Sequence, residues 1–149
     1  MKKPQPAVGL VIRYDYLWRD EAWRGRQEGS KDRPCTIVIA RSGDGPDALV
    51  WLAPITHTPP TDPKAATEIP PGIKAHLGLD DARSWIVTSE INSVVWSDPG
   101  IVPVSKSRWD YGLLPPRLTK AVVDRVVERF RAKRLGTVNR VQIEKRRDR

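Results

Sequence analysis

Two apolar runs separated by a turn-forming segment limit the fold of this chain more than any other feature. Cys35–Ala40 is almost continuously apolar and rich in Ile and Val, and Ala48–Thr56 is a second apolar run. The segment between them, RSGDGPD, contains the Gly, Asp and Pro residues that favour turns. Runs of this length and composition are typical of buried strands, so we predict a β-hairpin at the centre of a sheet.

The remaining pattern predicts more short strands and one long helix. Four further strands are predicted at Val8–Tyr14, Ala66–Ile69, Trp85–Thr88 and Ser93–Trp96. A single helical turn is expected to end near Gly78. The one long helix, residues 116–134, begins with proline, has a broad apolar face and gathers cations in its last turns. The predicted fold class is mostly β with one C-terminal helix, as a small barrel of antiparallel strands.

Charge divides the chain into a neutral body and a basic end. Residues 1–114 contain 14 Lys and Arg against 14 Asp and Glu, whereas residues 115–149 contain 12 against 4 and so account for the net charge of +8. We predict one domain over residues 1–134 and a basic, flexible tail over 135–149. The excess charge either attracts a polyanion, such as RNA or an acidic protein, or only solvates the tail.

Several classes of protein are disfavoured by what the sequence contains. No apolar run reaches the ~18 residues of a membrane span, and the N-terminus has no signal-peptide core. The one cysteine, Cys35, allows neither an internal disulfide nor a cysteine-based zinc site, so a cytoplasmic location is expected. There is no phosphate-binding glycine loop or nucleophile elbow, and His57 and His76 lack metal-ligand spacing. We therefore expect no cofactor and no metal.

Polar residues at the two ends of the predicted hairpin are the main candidates for chemistry. Arg33 precedes the first strand and Thr56 ends the second, so antiparallel pairing places them together on one rim of the sheet. An arginine fork and a hydroxyl suit a phosphate group. A more ordinary explanation is also open, in which Arg33 forms a surface ion pair with Asp32 or Glu28 and Thr56 is a simple strand residue.

Residues 17–32 form a long polar segment without a clear strand or helix period, and loops of this length are often functional. Trp18 and Trp23 in this loop are suited either to stacking on RNA bases or to covering the core. Asp32 is expected to neutralise Arg33 in the resting protein.

Four pieces of sequence, in this order, resemble the MazF/PemK (Kid) toxins of bacterial toxin–antitoxin systems. They are RPCTIVIA, LAPITHT, SWIVTSEINSVVW and YGLLPPRLTKAVVDRVVERF, and the similarity extends over roughly residues 8–132. The resemblance implies an SH3-like barrel, a homodimer and inhibition by a cognate antitoxin protein. It also implies a metal-independent endoribonuclease that attacks the phosphate with the RNA's own 2′-hydroxyl, leaving a 2′,3′-cyclic phosphate and a 5′-hydroxyl.

The resemblance also assigns roles to individual residues. It implies that Arg33 stabilises the pentacoordinate phosphate and is a candidate for protonating the leaving 5′-oxygen, that Thr56 holds a phosphate oxygen and that Glu28 is a candidate base. His57 lies outside the common motif and is a candidate second proton carrier, because a histidine titrates near neutral pH. RNA contacts are expected from loop residues Trp23, Arg24, Arg26 and Lys31. The alternative function is a non-catalytic SH3-like barrel that binds nucleic acid or a protein partner.

Overall fold

A computed structural model describes residues 1–41 and 45–141 and shows a mostly β protein with a C-terminal helix. The strands of these residues are β1 (Leu10–Tyr14), β2 (Arg33–Ala40), β3 (Leu49–Thr56), β4 (Ala66–Glu68), β5 (Trp85–Val87), β6 (Glu90–Val95), β7 (Ile101–Val102), β8 (Gly112–Leu113) and β9 (Gly136–Asn139). The helices are α1 (Arg19–Trp23), α2 (Pro71–Leu77) and α3 (Pro116–Arg131). Short 3₁₀ turns are formed at Gly45–Asp47 and Pro63–Ala65.

The predicted hairpin is confirmed as the antiparallel pair β2–β3. Its register runs from Cys35 opposite Pro54 to Ala40 opposite Val50, with a shift between Ile37 and Ile39. The other edge of β3 is shared by β6, which pairs with its first half, and β5, which pairs with its last two residues. The hairpin is therefore the centre from which the rest of the sheet extends.

The sheet is open and branched rather than closed into the predicted barrel. Its main order is β4-β5-β3-β2-β1-β7, and β6, β8 and β9 branch from this path. Within residues 1–41 and 45–141, no strand pair joins β4 to β7, the two ends of this path, so the sheet is not closed into a ring. The coarse prediction of a mostly β fold with a late helix is confirmed.

The two faces of the sheet carry separate cores. One face buries aromatic and aliphatic side chains that include Tyr14, Cys35 and Leu52. The other face is covered by α3, whose Val122 and Val126 are fully buried against the strands. Since apolar surface burial is worth about 25 cal/mol per Å², these cores supply the main driving force for folding.

The helices differ in part from the predicted ones. α1 lies in the segment predicted to be irregular, because five residues are too few to show a helical period. Its N-terminus is fixed by Glu21, whose carboxylate accepts a hydrogen bond from the Trp18 backbone N–H at 3.1 Å. α2 ends at Leu77, at the predicted position near Gly78, but it has seven residues rather than the predicted single turn; Gly78 lies in the left-handed region. α3 ends three residues before the predicted position, and Lys133 has a φ of 58°, which is incompatible with a continuing helix.

The start of the predicted basic tail belongs to the domain. Gly136–Asn139 forms β9, which pairs in parallel with β6. Arg140 is only 3% exposed and donates hydrogen bonds to the carbonyl oxygens of Asp15 and Gln27. The predicted boundary at residue 134 is therefore too early, because the pairing of β9 with a distant strand leaves no local signal. Residues 142–149 of the predicted tail lie outside the described residues.

A buried side chain on β6 fixes the beginning of the long loop after β1. Asn92, which is fully buried, accepts a hydrogen bond from the Leu17 backbone N–H at 2.9 Å and donates one to the Leu17 carbonyl at 2.8 Å. Arg140 donates a third hydrogen bond to the same amide, at 3.3 Å. Two residues earlier on β6, Glu90 accepts a hydrogen bond from the Arg19 N–H at 2.8 Å. The chain over residues 17–19 is thus held to β6 at two points.

Replacing Asn92 with alanine should destabilise the protein by about 2–3 kcal/mol, because the buried Leu17 N–H and C=O lose their partners. Urea denaturation followed by tryptophan fluorescence measures the loss. Thr137→Ala, an exposed substitution on β9, serves as the control and should change the free energy of unfolding by less than about 0.5 kcal/mol. Equal effects of the two substitutions would contradict the role given to Asn92.

Candidate active site

Arg33 and Thr56 lie together at one end of the β2–β3 hairpin. Cys35 is opposite Pro54, so continuing the register by two residues brings Arg33 opposite Thr56. Residues directly opposite in an antiparallel pair have Cβ atoms about 4.5–5.5 Å apart and share a face of the sheet. Both residues line the same two clefts. The hairpin therefore presents a guanidinium and a hydroxyl side by side on one rim.

The Arg33 side chain is positioned by an aromatic ring and lacks a partner at one nitrogen. Its guanidinium carbon is 4.9 Å from the centre of the Trp18 ring, an arrangement that holds the side chain and favours its charge. The Nε of Arg33 is buried and has no hydrogen-bond partner within the described residues. Buried polar groups in folded proteins nearly always have partners, so this nitrogen is an exception; the side chain itself lines two clefts, where a guanidinium offers further N–H donors to a ligand. An anion is the natural ligand for such a donor.

Thr56 has a hydroxyl that remains available as a donor. Its Oγ1 accepts a hydrogen bond from the Thr58 backbone N–H at 3.2 Å. A hydroxyl has one proton to donate in addition to its acceptor lone pairs. Thr56 can therefore be oriented by the loop after β3 while donating its proton to an oxygen atom of a ligand.

The larger cleft beside this pair contains a glutamate. This Glu90 cleft, of about 590 Å³, is bounded by Trp18, Arg33, Thr56 and Glu90 and by the loop over residues 58–66. Glu90 reaches it because the register between β3 and its neighbours changes at residues 88–89, where β5 ends and β6 begins. Irregularities of this kind often redirect a side chain next to an active site.

The environment of Glu90 alters its ionisation. Burial raises the pKa of its carboxyl group above the ordinary value, although the hydrogen bond from the Arg19 N–H opposes that shift. The buried Tyr16 hydroxyl lies beside the same carboxyl group. A carboxyl group with a raised pKa that lines a cleft is suited to proton transfer.

A second, smaller cleft that is lined by the same pair contains a histidine. This His57 cleft, of about 270 Å³, is lined by Lys31, Arg33, Thr56, His57 and Asp80, among others. The Nε2 atom of His57 is 2.8 Å from the nearer carboxylate oxygen of Asp80. An imidazole oriented by a carboxylate is a common arrangement for proton transfer.

Asp80 is itself held in place by a buried lysine. Lys74 is 5% exposed and donates hydrogen bonds to Asp80, at 2.8 Å, and to the carbonyl of Ala82. The hydrogen bond from Lys74, together with the charge of His57, lowers the pKa of the Asp80 carboxyl group. Asp80 therefore stays ionised at neutral pH and can fix the orientation of His57.

The structure brings four of the eight predicted site residues together. Arg33, Thr56, His57 and Lys31 line the His57 cleft. Glu28 is exposed on the long loop and is not among the residues that line either cleft.

The other predicted RNA contacts lie on or just after α1 and likewise line neither cleft. Trp23 is 90% exposed, Arg24 is exposed, and Arg26 pairs with Glu21 at 2.8 Å. Asp32 forms an ion pair with Arg13 at 3.4 Å, so the expectation that it neutralises Arg33 is not met. The reason is that Arg13 on β1 is opposite Pro34 on β2, which brings it close to Asp32, the residue just before β2.

Sequence reasoning missed Glu90, Asp80 and the contact of Trp18 with Arg33. Glu90 lies in TSEIN, where nothing indicates that the chain changes partners along β3. Asp80 follows an ordinary helix-ending glycine and is 23 positions from His57. Only the three-dimensional structure places these carboxylates at the two clefts.

Two other kinds of feature, a metal site and a membrane-spanning helix, are absent from the described residues. Within residues 1–41 and 45–141, no group of three or more His, Cys, Asp or Glu side chains is arranged to hold a metal ion. Among the helices of the same part of the chain, none has both the length and the apolar character needed to cross a bilayer. Comparison with known proteins finds no matching family model and no matching curated protein.

Replacing Asp80 with asparagine should lower the free energy of unfolding at pH 7 by about 1–2 kcal/mol, since buried Lys74 loses its charged partner but the half-exposed carboxylate is screened by solvent. Because the pKa of Asp80 is lowered by folding, its contribution is present above the unfolded value near pH 4 and is lost as the pH falls through the folded value. The difference between wild type and D80N should therefore shrink in acid.

Urea titrations at pH 7 and at pH 3 measure this change. Asp81→Asn, at an exposed neighbouring carboxylate, is the matched control and should leave stability nearly unchanged at both values. A D80N effect that stays constant with pH would rule out the charged interaction as its cause.

Proposed function

We propose that this protein is a metal-independent endoribonuclease that cleaves single-stranded RNA by attack of the RNA's own 2′-hydroxyl. The observation that carries the proposal is that Arg33 and Thr56 line two clefts together, one of which also contains Glu90 and the other His57. A phosphodiester bound at Arg33 and Thr56 has one proton-transfer group in each of these clefts. The sequence resemblance to the MazF/PemK toxins points to the same reaction.

The groups present can account for each proton in such a reaction. The ionised Glu90 takes the proton from the 2′-hydroxyl, and the 2′-oxygen then forms a bond to phosphorus. As the bond from phosphorus to the 5′-oxygen breaks, protonated His57 gives its proton to that leaving oxygen. The products are a 2′,3′-cyclic phosphate and a 5′-hydroxyl, with no external reactant.

Arg33 and Thr56 stabilise the charge that develops on the phosphate. The guanidinium presents several donors in a fixed fork, and the Thr56 hydroxyl donates to a non-bridging oxygen. Because Trp18 and the Thr58 N–H hold these groups in place before RNA binds, little reorganisation is needed during the reaction. Preorganised electrostatic stabilisation of this kind is usually the largest contribution to catalysis.

Glu90 is preferred to Glu28 as the base because it lines the same cleft as Arg33 and Thr56. Its raised pKa also makes it a stronger proton acceptor than an ordinary glutamate once ionised. Glu28 was implied only by the family resemblance, and its exposed position does not place it at the proposed phosphate.

The wider biological setting follows from the resemblance. We propose a cytoplasmic toxin that functions as a homodimer with an SH3-like arrangement of its sheet and is inhibited by an antitoxin protein. Excess positive charge in residues 115–149 suits an acidic antitoxin as well as RNA.

Purified protein incubated with a long RNA in EDTA should produce discrete fragments that end in cyclic phosphate. Arg33→Ala should reduce the rate by about 10²–10³, because it removes a preorganised donor. Arg33→Lys should rescue little, since an ammonium lacks the planar fork. Thr56→Val removes the hydroxyl at nearly constant volume and should slow cleavage by at least about 10-fold.

Exposed counterparts provide the controls for these variants. Arg117→Ala, at the start of α3, and Thr137→Val, on β9, should cleave at the wild-type rate. RNA binding without any cleavage by the wild-type protein would overturn the nuclease proposal and favour the non-catalytic nucleic-acid-binding alternative.

The pH dependence of cleavage tests Glu90 separately. If Glu90 is the base, kcat/KM should rise with pH through a pKa above the ordinary glutamate range. Glu90→Gln should lower kcat/KM by about 10²–10⁴ and remove this acid limb. Glu68→Gln, at an exposed carboxylate paired with Arg83, is the control and should retain both rate and profile. An unchanged acid limb in E90Q would show that another group is the base.

A further inference from the structure

A third cleft, separate from Arg33 and Thr56, is lined mainly by basic residues. This α3 cleft, of about 520 Å³, lies between the last turns of α3 and the 3₁₀ turn at Pro63–Ala65. Its cations are Lys64, Arg125, Arg129 and Arg134, and its carboxylates are Asp62 and Glu128. Neither the sequence motifs nor the proposed reaction assigns a role to this cleft.

Part of this charge is used to hold the cleft together. Arg125 donates hydrogen bonds to the carbonyl oxygens of Pro63 and Ala66, at 3.3 and 3.0 Å, and so attaches the turn to the helix. Asp62 accepts a hydrogen bond from the Lys64 backbone N–H at 2.9 Å and pairs with Arg129 at 3.4 Å. The wall of the cleft is therefore fixed by contacts within the protein.

The remaining cations are available to a ligand. Within residues 1–41 and 45–141, the side chains of Lys64 and Arg134 form no ion pair. Four cations against two carboxylates leave the cleft positive, although the C-terminal end of a helix by itself disfavours anions. An extended anion with several charges fits such a surface better than a single buried ion would.

The α3 cleft adjoins the Glu90 cleft through a shared wall. Thr61 and Ala65 line the Glu90 cleft, whereas Asp62 and Lys64 line the α3 cleft. Consecutive Cα atoms are about 3.8 Å apart, so the two clefts are separated by one thickness of chain. A polymer leaving the Glu90 cleft over residues 61–65 meets the basic residues of α3 next.

We propose that the α3 cleft binds the phosphate backbone of single-stranded RNA, as a continuation of the path that passes Arg33 and Thr56. This inference rests on the proposed function for the identity of the polymer. It adds a binding subsite for nucleotides outside the cleaved linkage, with Lys64 and Arg134 contacting phosphates. Since the contacts are to phosphates, the subsite should add affinity without sequence preference.

Binding of 2′-O-methyl oligoribonucleotides of increasing length tests this subsite, because these probes lack the attacking hydroxyl and are not cut. For probes of 4 and 16 nucleotides of mixed sequence, the Kd is measured by fluorescence anisotropy in EDTA. The double substitution of Lys64→Gln with Arg134→Gln should weaken binding of the long probe about 5- to 20-fold and leave the short probe unchanged. The slope of log Kd against log salt for the long probe should fall by roughly 1.4, because the variant loses two phosphate contacts and each contributes about 0.7 for a single strand.

The control variant removes the same amount of positive charge from outside the cleft. Arg131→Gln with Lys120→Gln removes two exposed cations of α3 that do not line the cleft, and both probes should bind it as they bind wild type. Equal weakening by the two double variants would overturn the subsite and leave only a general effect of net charge.

Two further outcomes separate this inference from the nuclease proposal. If the protein fails to cut RNA but the K64Q/R134Q variant still loses affinity for the long probe only, the subsite stands and the proposed reaction fails. If the variant binds RNA of every length normally but loses affinity for an acidic polypeptide such as polyglutamate, the α3 cleft is a protein-docking site and the RNA subsite is wrong.

Discussion

The amide of Asn92 is the interaction on which the rest of the candidate site depends. It satisfies both backbone groups of Leu17 inside a region that water does not reach. The next residue, Trp18, then lies against Arg33, and the residue after that donates its N–H to Glu90. One buried hydrogen-bonding group on β6 therefore sets the positions of a guanidinium on β2 and a carboxylate on its own strand. A buried polar group of this kind is costly unless every bond is made, so the arrangement tolerates little variation.

The site combines groups whose burial costs free energy with groups that offset the cost. Glu90 is partly buried with a raised pKa, and Arg33 has a buried nitrogen without a partner. Lys74, by contrast, is buried with its charge matched by Asp80 and by a backbone carbonyl. Arg33 and Glu90 line the clefts, whereas Lys74 lines neither of them and supports Asp80 instead. This division is expected where a protein holds donors and acceptors ready for a ligand while the supporting residues keep them in place.

The parts of this structure that could be predicted from sequence are those with a local signal. The β2–β3 hairpin follows from two β-branched runs around a turn, and its antiparallel register alone brings Arg33 and Thr56 to one rim. The end of α2 follows from Gly78.

Other parts depend on distant contacts that leave no trace in a short window of sequence. The two-residue strands β7 and β8, the parallel pair β6–β9 and the burial of Arg140 are of this kind. Glu90 was missed for the same reason, since its approach to Arg33 depends on where β5 gives way to β6. A sheet closed into a barrel was expected from many short strands, but strand count does not determine whether the outer edges meet.

The late position of β9 and Arg140 in the chain has a consequence for when the candidate site is completed during synthesis. Arg33, Thr56, His57 and Glu90 are all synthesised before residue 91, yet Arg140, which holds the carbonyl oxygens of Asp15 and Gln27, is added some fifty residues later. A nascent chain thus contains all four of these candidate site residues well before it contains the Arg140 guanidinium that fixes the loop beside them. Because domains generally fold as units, the loop beside these residues is fixed only after β9 and Arg140 have been added to the chain.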